Sequence, residues 1–291
     1  MLTVNIKETG ASCGAIVTGV NLEEGFKDDQ ISFLLEAIYQ YKCIIIKKQN
    51  FSHKGYKKFG SEWGTLITHM LDYLRTPTFP ELMVIGNTEE KDKDEGTRNG
   101  AAVWHSDGTY IENSTTITML HAKEVPSNGG ETLIADLASA YEDLDESIKN
   151  EIKDLKALHF YGKAEFDQDE HIPAPIKTKK QKEANPICEK PLVIKHPYSG
   201  KKSLYGITHS PFKIIGKSET DTKLILKTLK DFATQEKYIY SHKYEIGDVL
   251  LFDNFTTMHR AKNTIDYVNA SKSNARLLWR LSCNGKPRLI N

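Results

Sequence analysis

The sequence predicts one α+β domain, mainly β, whose sheets close around an internal site while helices pack outside. Strand-like segments dominate both ends of the middle part of the chain, and helical segments lie between them. There is no internal repeat and no linker between two self-sufficient cores. The length of 291 residues would permit one large domain or two ordinary ones. We therefore expect a single domain over residues 1–291.

The elements can be assigned in chain order from the spacing of apolar residues. Helical spacing predicts helices at 31–41, 54–64, 138–144, 146–155 and 218–235. Alternation or a short continuous apolar run predicts strands at 43–46, 115–123, 131–135, 243–252 (a turn feeding a strand) and 276–283. Ser127–Gly130 is typical of a turn.

Two polar segments are predicted to lack regular structure. Residues 86–100 are charged and contain glycine, which indicates a loop. Residues 163–190 contain three prolines and a lysine-rich run at 177–182, and we expect a long loop or a lid there. Long loops in compact domains tend to be functional or disordered.

Composition limits the class of protein. Thirty-nine basic and 39 acidic residues give a formal net charge of zero, which argues against nucleic acid as the main partner. No apolar run is long enough to span a membrane, and the N-terminus has no apolar leader. The four cysteines form no C-x-x-C pair, so free thiols are expected rather than disulfides or zinc. We expect a cytoplasmic protein with a small-molecule partner, able to form a homo-oligomer.

Arginine is used sparingly. Only six of the 39 basic residues are arginine, and four of these six follow position 259. Arginine is the cation that binds a carboxylate through two parallel hydrogen bonds. The cluster therefore indicates recognition of an anion, or it is a chance grouping at a solvated C-terminus.

The segment 104–110 (WHSDGTY) contains the only H-x-D in the chain. On a strand, His105 and Asp107 would point to the same side. Together they supply two thirds of the two-His, one-carboxylate set that holds Fe(II) and leaves coordination positions open. Taken alone, the motif is weak, and a surface turn that contains His, Asp and Gly is the favoured interpretation.

A third ligand must come from elsewhere in the chain. Seven other histidines are poor candidates. A polar loop is predicted for His53, His171 and His242, a Ser-Pro turn beside His209, a strand-to-turn position for His196, and a core role for His121 and His159, which lie in apolar runs. His69 follows the second helix and is harder to dismiss. His259 follows a buried strand and a turn, and Arg276 comes 17 residues later. His259 is therefore the preferred candidate.

These features together resemble the TauD family of Fe(II)- and 2-oxoglutarate-dependent dioxygenases. The similarity includes W-H-x-D, the distal histidine after L-F-D-N, and the R-x-x-x-R of Arg276 and Arg280. It extends to 126–132 (PSNGGET), to 190–205, and to an early Phe-Gly followed by His69. The resemblance covers nearly the whole chain.

The resemblance implies a double-stranded β-helix, a cupin-like jelly roll with flanking helices. It implies that His105, Asp107 and His259 are the ligands of Fe(II), and that O2 and 2-oxoglutarate are co-substrates. Thr132 and Arg276 would bind the distal carboxylate of 2-oxoglutarate, although Thr132 could equally be a turn hydroxyl. Arg280 would face an anionic group of the substrate.

The substrate is less defined. Taurine oxygenase has asparagine four residues before its first ligand histidine, and this chain has Ala101, so taurine itself is doubtful. The stretch 100–110 is similar to the PvcB-type branch, which acts on isonitriles derived from aromatic amino acids. We hypothesise that His69 or Tyr110 lies near the ring of tyrosine isonitrile, which would be desaturated to a vinyl isocyanide.

Alternatives remain open. Within the same family, these are a sulfonate-type oxygenase or an amino-acid hydroxylase. Outside it, a metal-free binding protein on a cupin-like scaffold would take up no iron. A zinc hydrolase could use the same ligands without needing Arg276, whereas Asp107 argues against an Fe(II) halogenase.

Overall fold

A computed structural model describes residues 4–23, 25–87, 102–161, 176–262 and 274–290. The strands are β1 Asn5–Glu8, β2 Ala15–Thr18, β3 Cys43–Ile46, β4 Thr65–Leu66, β5 Met83–Gly86, β6 Thr115–Glu124, β7 Thr132–Asp136, β8 Lys156–His159, β9 Cys188–Pro191, β10 Val193–Lys195, β11 Lys202–Leu204, β12 Pro211–Ile214, β13 Ile239–His242, β14 Val249–Asp253, β15 Thr257–Ala261 and β16 Leu277–Asn284. The α-helices are α1 Asp28–Tyr41, α2 His53–Gly60, α3 Leu137–Asp143, α4 Glu146–Ile152, α5 Lys179–Glu183 and α6 Glu219–Ala233. Short 3-10 helices occupy Ser61–Trp63, Asp72–Leu74 and Glu236–Tyr238.

The largest sheet has eight strands in the order β1-β2-β3-β14-β6-β16-β4, and β5 pairs with the other part of β16. At its centre β14 is antiparallel to both β3 and β6. All four residues of β3 and all five of β14 are buried. Both faces of the sheet are covered, which explains why these strands are continuous apolar runs rather than alternating ones.

Alternate side chains of this sheet enter two different cores. Ile44, Leu251 and Met119 belong to the outer core, which contains apolar residues of α1 and α2. Ile45 and Leu250 face the inner core, shared with residues of the opposite sheet. Successive side chains of a strand point to opposite faces, so one strand can contribute to both layers.

The opposite sheet has three strands in the order β13-β7-β15. Ile134 of β7 packs with Phe252 and Leu278 of the large sheet in the inner core. A second three-stranded sheet, β12-β8-β9, and the hairpin β10-β11 lie beside it. The two layers thus enclose an interior, and side chains from β6, β14, β15 and β16 point into it.

Helix α1 covers the outer face of the large sheet. Its buried residues recur at helical spacing, at Ile31, Leu34, Leu35 and Ile38. The helix ends at Lys42, which adopts a left-handed conformation (φ 67°) and turns the chain directly into β3. Helices α3 and α6 pack in a separate core against β7, β8 and β12.

Most predicted elements are confirmed, with small changes at their ends. The second helix ends at Gly60 and continues as a 3-10 turn. The predicted helix 146–155 is wrong at its C-terminal end, because α4 ends at Ile152 and the next segment becomes β8. Tertiary pairing of β8 with β9 and β12 overrides the local pattern there.

The two predicted loops fall largely outside the described residues. Of 86–100, positions 88–100 lie outside them, and so do positions 163–175 of the predicted lid. The prediction that 163–190 lacks regular structure is wrong for its second half, which contains α5 and β9. Thr178 caps α5 through its hydroxyl, and β9 forms an edge strand against β8.

No helix in the described part of the chain is both long and apolar enough to cross a lipid bilayer.

Candidate active site

Three side chains from two distant parts of the sequence converge between the two layers. His105, Asp107 and His259 each offer one ligand atom, and these atoms all lie within 4.8 Å of one another. The Nε2 atoms of His105 and His259 are 3.8 and 3.9 Å from the two carboxylate oxygens of Asp107. Two bonds of about 2.1 Å can span atoms up to about 4.2 Å apart, so a single ion could bond both partners of each His–Asp pair.

Backbone pairing brings the two histidines together. His105 forms an isolated antiparallel bridge with His259 of β15. Each donates its backbone N–H to the carbonyl of the other, at 3.0 and 2.7 Å. A strand was expected at 105–107. Only His105 is paired there, through this single bridge, and Asp107 lies in a turn. The imidazole rings lie 4.2 Å apart, centre to centre.

The imidazoles are held in the form that binds metals. The Nδ1 atom of His105 lies 2.8 Å from the carbonyl of Val103, so it carries the proton and leaves the Nε2 lone pair free. Burial lowers the pKa of His105. Burial also lowers the pKa of His259 well below its ordinary value, and the neighbouring ring of His105 lowers it further. Both rings are therefore neutral at pH 7.

Asp107 is held as an anion. Burial acts to raise its pKa, but the guanidinium of Arg280 and the two histidines lower it far below the usual range of an aspartate. Arg280 Nη2 lies 2.8 Å from Oδ1. The hydroxyl of Thr118 donates to Oδ2 at 2.7 Å. A carboxylate and two neutral imidazoles form the donor set that suits Fe(II).

A second group of polar residues surrounds Arg276, immediately before β16. Arg276 is 3% exposed, and its Nε donates to the carbonyl of Gly130 at 3.2 Å. Its guanidinium carbon lies 6.0 Å from the ring centre of Tyr244, whose hydroxyl is 2.9 Å from that of Thr132. Among the described residues, no carboxylate forms a salt bridge with Arg276.

A cavity of about 300 Å³ opens beside Gly108 and Arg280, the two neighbours of Asp107, and none of the three cluster residues lines it. The cavity is lined by all three predicted substrate residues, His69, Tyr110 and Arg280. Burial and the nearby Arg280 lower the pKa of His69 to about 3, which keeps its ring neutral. Lys180 and Gln181 of α5 also face the cavity, so this part of the predicted lid borders the site.

Sequence reasoning missed several residues of the site. Arg75 lines the cavity, and Tyr161 lies within 6.4 Å of both His69 and His209, ring centre to ring centre. The ring of His209, assigned to a turn and set aside, is 5.6 Å from that of His105. Tyr244 was also missed. No local signal distinguishes these residues, because only the fold brings them to the site.

Other histidines have the core roles expected of them. His121 is fully buried, and its Nε2 lies 3.0 Å from the carbonyl of Gln49. His159 is fully buried beside the hydroxyl of Ser210. The assignment of His242 to a polar loop was wrong, because it ends β13, is buried, and lies 3.2 Å from Asp248. Ala101 lies outside the described residues.

Proteins with similar sequences include an alkylsulfatase and several alpha-ketoglutarate-dependent dioxygenases. The chain is 28% identical to an alkylsulfatase of Acinetobacter baylyi over 269 residues, 89% of this chain and 80% of that protein. It is also 28% identical to an (S)-phenoxypropionate/alpha-ketoglutarate-dioxygenase of Sphingobium herbicidovorans over 291 residues, covering 97% and 96% of the two chains.

The fold is shared with solved structures. The crystal structure of AAD-2 in complex with Mn(II) and N-oxalylglycine superposes with a TM-score of 0.77 at 24% identity, covering 99% of this chain and all of that one. The predicted fold class, a mainly β jelly roll with flanking helices, is thereby confirmed. Residues 5–282 match the family described as taurine catabolism dioxygenase TauD, TfdA family. The chain therefore belongs to the TauD/TfdA family of dioxygenases.

Proposed function

We propose that this protein is an Fe(II)- and 2-oxoglutarate-dependent dioxygenase that oxidises a small organic acid in the cavity beside His105, Asp107 and His259. The observation that carries the proposal is the convergence of these three side chains, from two distant parts of the chain, next to Arg280, which contacts Asp107 and also lines a cavity. Fe(II), 2-oxoglutarate and O2 as cofactor and co-substrates agree with family membership and with this donor set.

His105, Asp107 and His259 would hold the iron. Two neutral imidazoles and one carboxylate leave coordination positions open for co-substrates. The hydrogen bond from His105 to Val103 fixes the ring orientation, as partners behind metal ligands usually do. When bound, Fe(II) with 2-oxoglutarate supplies the oxidation of an unactivated C–H bond by O2, coupled to decarboxylation of the oxo acid.

Arg276 would hold the distal carboxylate of 2-oxoglutarate. It is a buried guanidinium without a carboxylate partner among the described residues, and such a cation is stabilised by an anionic ligand. Thr132 and Tyr244 place two hydroxyl groups beside it. The role of Tyr244 is a proposal from the structure alone, whereas Thr132 and Arg276 were predicted.

The cavity favours a substrate with an anionic group. Arg75, Lys180 and Arg280 line it, together with Asp72 and Glu81. Glu81 is neutralised by Lys57 at 2.7 Å, and Arg280 by Asp107 at 2.8 Å. Asp72 accepts from the neutral amide of Gln181 at 2.7 Å and keeps its charge. Lys180 and Arg75 pair with no carboxylate among the residues that the structure describes, so these two cations outnumber the one free carboxylate and the remaining charge in the cavity is positive.

The cavity also has an apolar side, formed by Ile67, Met70, Met83, Tyr110 and Ile111. The ring of Tyr161 packs 5.0 Å from that of Tyr110 and supports it from behind. Such a lining favours a ligand with an apolar part. The names of the two relatives, a phenoxypropionate dioxygenase and an alkylsulfatase, agree with an organic anion that has an apolar part.

Within this class, an isonitrile derived from an aromatic amino acid remains our narrower proposal. Tyrosine isonitrile combines a carboxylate, which Arg280 could bind, with a ring for the wall of His69 and Tyr110. The PvcB-type branch rests on the sequence resemblance alone. Alkyl sulfates, sulfonates and phenoxyalkanoates are the alternatives within the family. The cytoplasmic location, the single-domain organisation and a homo-oligomeric state also stay predictions.

The proposal is tested by loading purified protein anaerobically with Fe(II) and 2-oxoglutarate and then admitting O2. Succinate formation and O2 uptake are measured with each of four acids: tyrosine isonitrile, (S)-2-phenoxypropionate, hexyl sulfate and taurine. We expect one of the first three to stimulate succinate formation and to yield an oxidised product by mass spectrometry. A protein that binds Fe(II) but consumes no 2-oxoglutarate under any condition would be a binding protein, contrary to the proposal.

A further inference from the structure

We propose that Thr118 and Asn254 are positioning residues that fix the carboxylate of Asp107 for metal binding. The inference rests on the proposed role of Asp107 as a ligand. Thr118 lies in the middle of β6 and Asn254 follows β14, and both are completely buried. Neither was singled out from the sequence, although Asn254 is part of the L-F-D-N segment.

The hydrogen bonds of this group have a fixed direction. The Nδ2 group of Asn254 can only donate, so Thr118 Oγ1 accepts from it at 3.0 Å. The carboxylate can only accept, so the hydroxyl proton of Thr118 goes to Asp107 Oδ2 at 2.7 Å. The hydroxyl of Ser282, 3.2 Å from Thr118, completes the surroundings of Oγ1.

Asn254 is fixed in turn by the backbone. Its Oδ1 accepts from the N–H of Asp107 at 3.0 Å, and this contact determines which end of the carboxamide faces Thr118. Its own N–H donates to the carbonyl of Thr116 at 2.8 Å. Asp107, Asn254 and Thr118 therefore form a closed ring of three hydrogen bonds that includes both the backbone and the side chain of Asp107.

Asp107 needs such support more than the two histidines do. His259 lies within β15, and His105 is bridged to it by two backbone hydrogen bonds. Asp107 lies in a turn, outside any ladder. Its carboxylate can rotate about the bond to Cβ unless both oxygens are held. Oδ1 faces Arg280, whose long side chain has several rotatable bonds, whereas Oδ2 faces the short, β-branched Thr118.

Removing hydrogen bonds behind a metal ligand typically weakens metal affinity by about 10–100-fold. We therefore expect Thr118→Val, which keeps the shape of the side chain and removes its hydroxyl, to weaken Mn(II) binding by about 10–100-fold. Thr118→Ser keeps the hydroxyl and should bind Mn(II) within about threefold of the wild-type protein.

Thr116→Val provides a matched control. Thr116 lies two residues earlier on the same strand, is buried, and donates its hydroxyl to the carbonyl of Cys283 rather than to Asp107. A general effect of losing a buried hydroxyl from β6 would appear in both valine variants. The positioning role predicts that only Thr118→Val loses affinity.

The measurement is a titration of the metal-free, full-length protein with Mn(II), followed by the EPR signal of the free ion. Thermal unfolding of each metal-free variant is recorded in parallel. Asn254→Ala removes the hydrogen bond to Thr118 together with the one from the N–H of Asp107, and it serves in case Thr118→Val fails to fold. The Thr118→Val/Asn254→Ala double variant should lose less affinity than the sum of the two single losses, because the bond between Thr118 and Asn254 is lost in both single variants.

Three results would overturn the inference: a folded Thr118→Val protein that binds Mn(II) like wild type, equal losses in Thr116→Val and Thr118→Val, or fully additive losses in the double variant. A wild-type protein that binds no Mn(II) would instead contradict the proposed function, and the inference with it. The two failures are therefore distinguishable.

Discussion

The guanidinium of Arg280 lies 2.8 Å from Oδ1 of Asp107, so the proposed substrate residue contacts the proposed metal ligand directly. The other terminal nitrogen of Arg280 is 3.2 Å from the sulfur of Met83, on the neighbouring strand. A single cation thus neutralises the carboxylate of the cluster and also lines the cavity. Its positive charge repels an incoming metal ion and attracts a substrate anion.

Arg280→Gln should separate these two effects. Loss of a positive charge beside Asp107 removes a repulsion toward the metal, so Mn(II) binding should become severalfold tighter. Loss of the same charge should raise the KM for the acidic substrate by about 10–100-fold, the typical cost of a charged hydrogen bond. Mn(II) titration and initial rates of succinate formation measure the two changes. Parallel losses of both affinities would contradict the explanation.

His105→Ala should abolish metal binding while leaving the fold intact. The loss of a ligand should exceed the roughly 10–100-fold cost of removing a hydrogen bond behind one. The side chain is 12% exposed and packs against the rings of His209 and His259 rather than in an apolar core, so the melting temperature of the metal-free protein should change little. His53→Ala is the control, since His53 packs on Trp279 at 4.1 Å and lies outside the cluster.

Arg276→Gln should weaken the binding of 2-oxoglutarate and leave metal binding unchanged. A bidentate carboxylate contact contributes on the order of 1.5–3 kcal/mol, so the KM for 2-oxoglutarate should rise by about 10–100-fold while Mn(II) still binds. Arg288→Gln is the control, because Arg288 pairs with Asp28 and Glu62 on the surface. Unchanged 2-oxoglutarate kinetics in Arg276→Gln would remove Arg276 from the co-substrate site.

Gly108→Ala should lower both stability and metal affinity. Gly108 has φ +65°, and an added Cβ would lie 2.2 Å from the hydroxyl oxygen of Thr115, so the turn that carries Asp107 must shift. We expect a loss of about 1–3 kcal/mol in unfolding free energy. Gly216→Ala, at φ +79° in open space, reports the backbone strain alone. Urea unfolding and Mn(II) titration of both variants separate strain from displacement of Asp107.

Buried neutral histidines should make stability fall at mildly acidic pH. Burial lowers the pKa of His159 to about 3, from the 6.5 expected in the unfolded chain. Between these values the unfolded chain binds a proton that the folded protein does not. Stability is therefore full above about 6.5 and is lost as pH falls, at about 1.4 kcal/mol per pH unit.

His159→Gln should reduce by one the number of protons that the unfolded chain binds in excess of the folded protein. We expect a shallower slope than that of the wild-type protein in urea unfolding between pH 7.5 and 4.5, with EDTA present. Part of the slope should remain, because burial also lowers the pKa of His121 to about 4. An identical slope in the two proteins would show that His159 does not titrate as described.

Much of the fold could be predicted because local and tertiary preferences agree. The strand 43–46 is continuously apolar, and it lies in a sheet that is covered on both faces. Helix α1 has apolar residues at helical spacing and packs on that sheet. Where the two preferences disagree the prediction was wrong: the helix expected over 146–155 ends at Ile152, because the chain must then turn into the strand Lys156–His159, which pairs with β9 and β12.

The candidate ligands could be found because two histidines and an aspartate stand in a recognisable order, and the family resemblance adds Thr132 and Arg276. Thr118, Tyr161 and Tyr244 could not be found in this way. Each is an ordinary residue of a strand or loop, and its importance comes only from what lies opposite. Thr118 is next to Asp107 because β6 pairs with β14 and thereby meets Asn254.

The sequence by itself determined the class of fold, the family, and the residues whose chemistry can bind iron and an oxo acid, because side-chain chemistry and apolar periodicity are local properties. Only the tertiary structure decided that His105 and His259 share a backbone bridge, that Arg280 reaches Asp107, and that Arg75 enters the cavity. These contacts depend on the register between strands far apart in the chain, and no local pattern specifies that register.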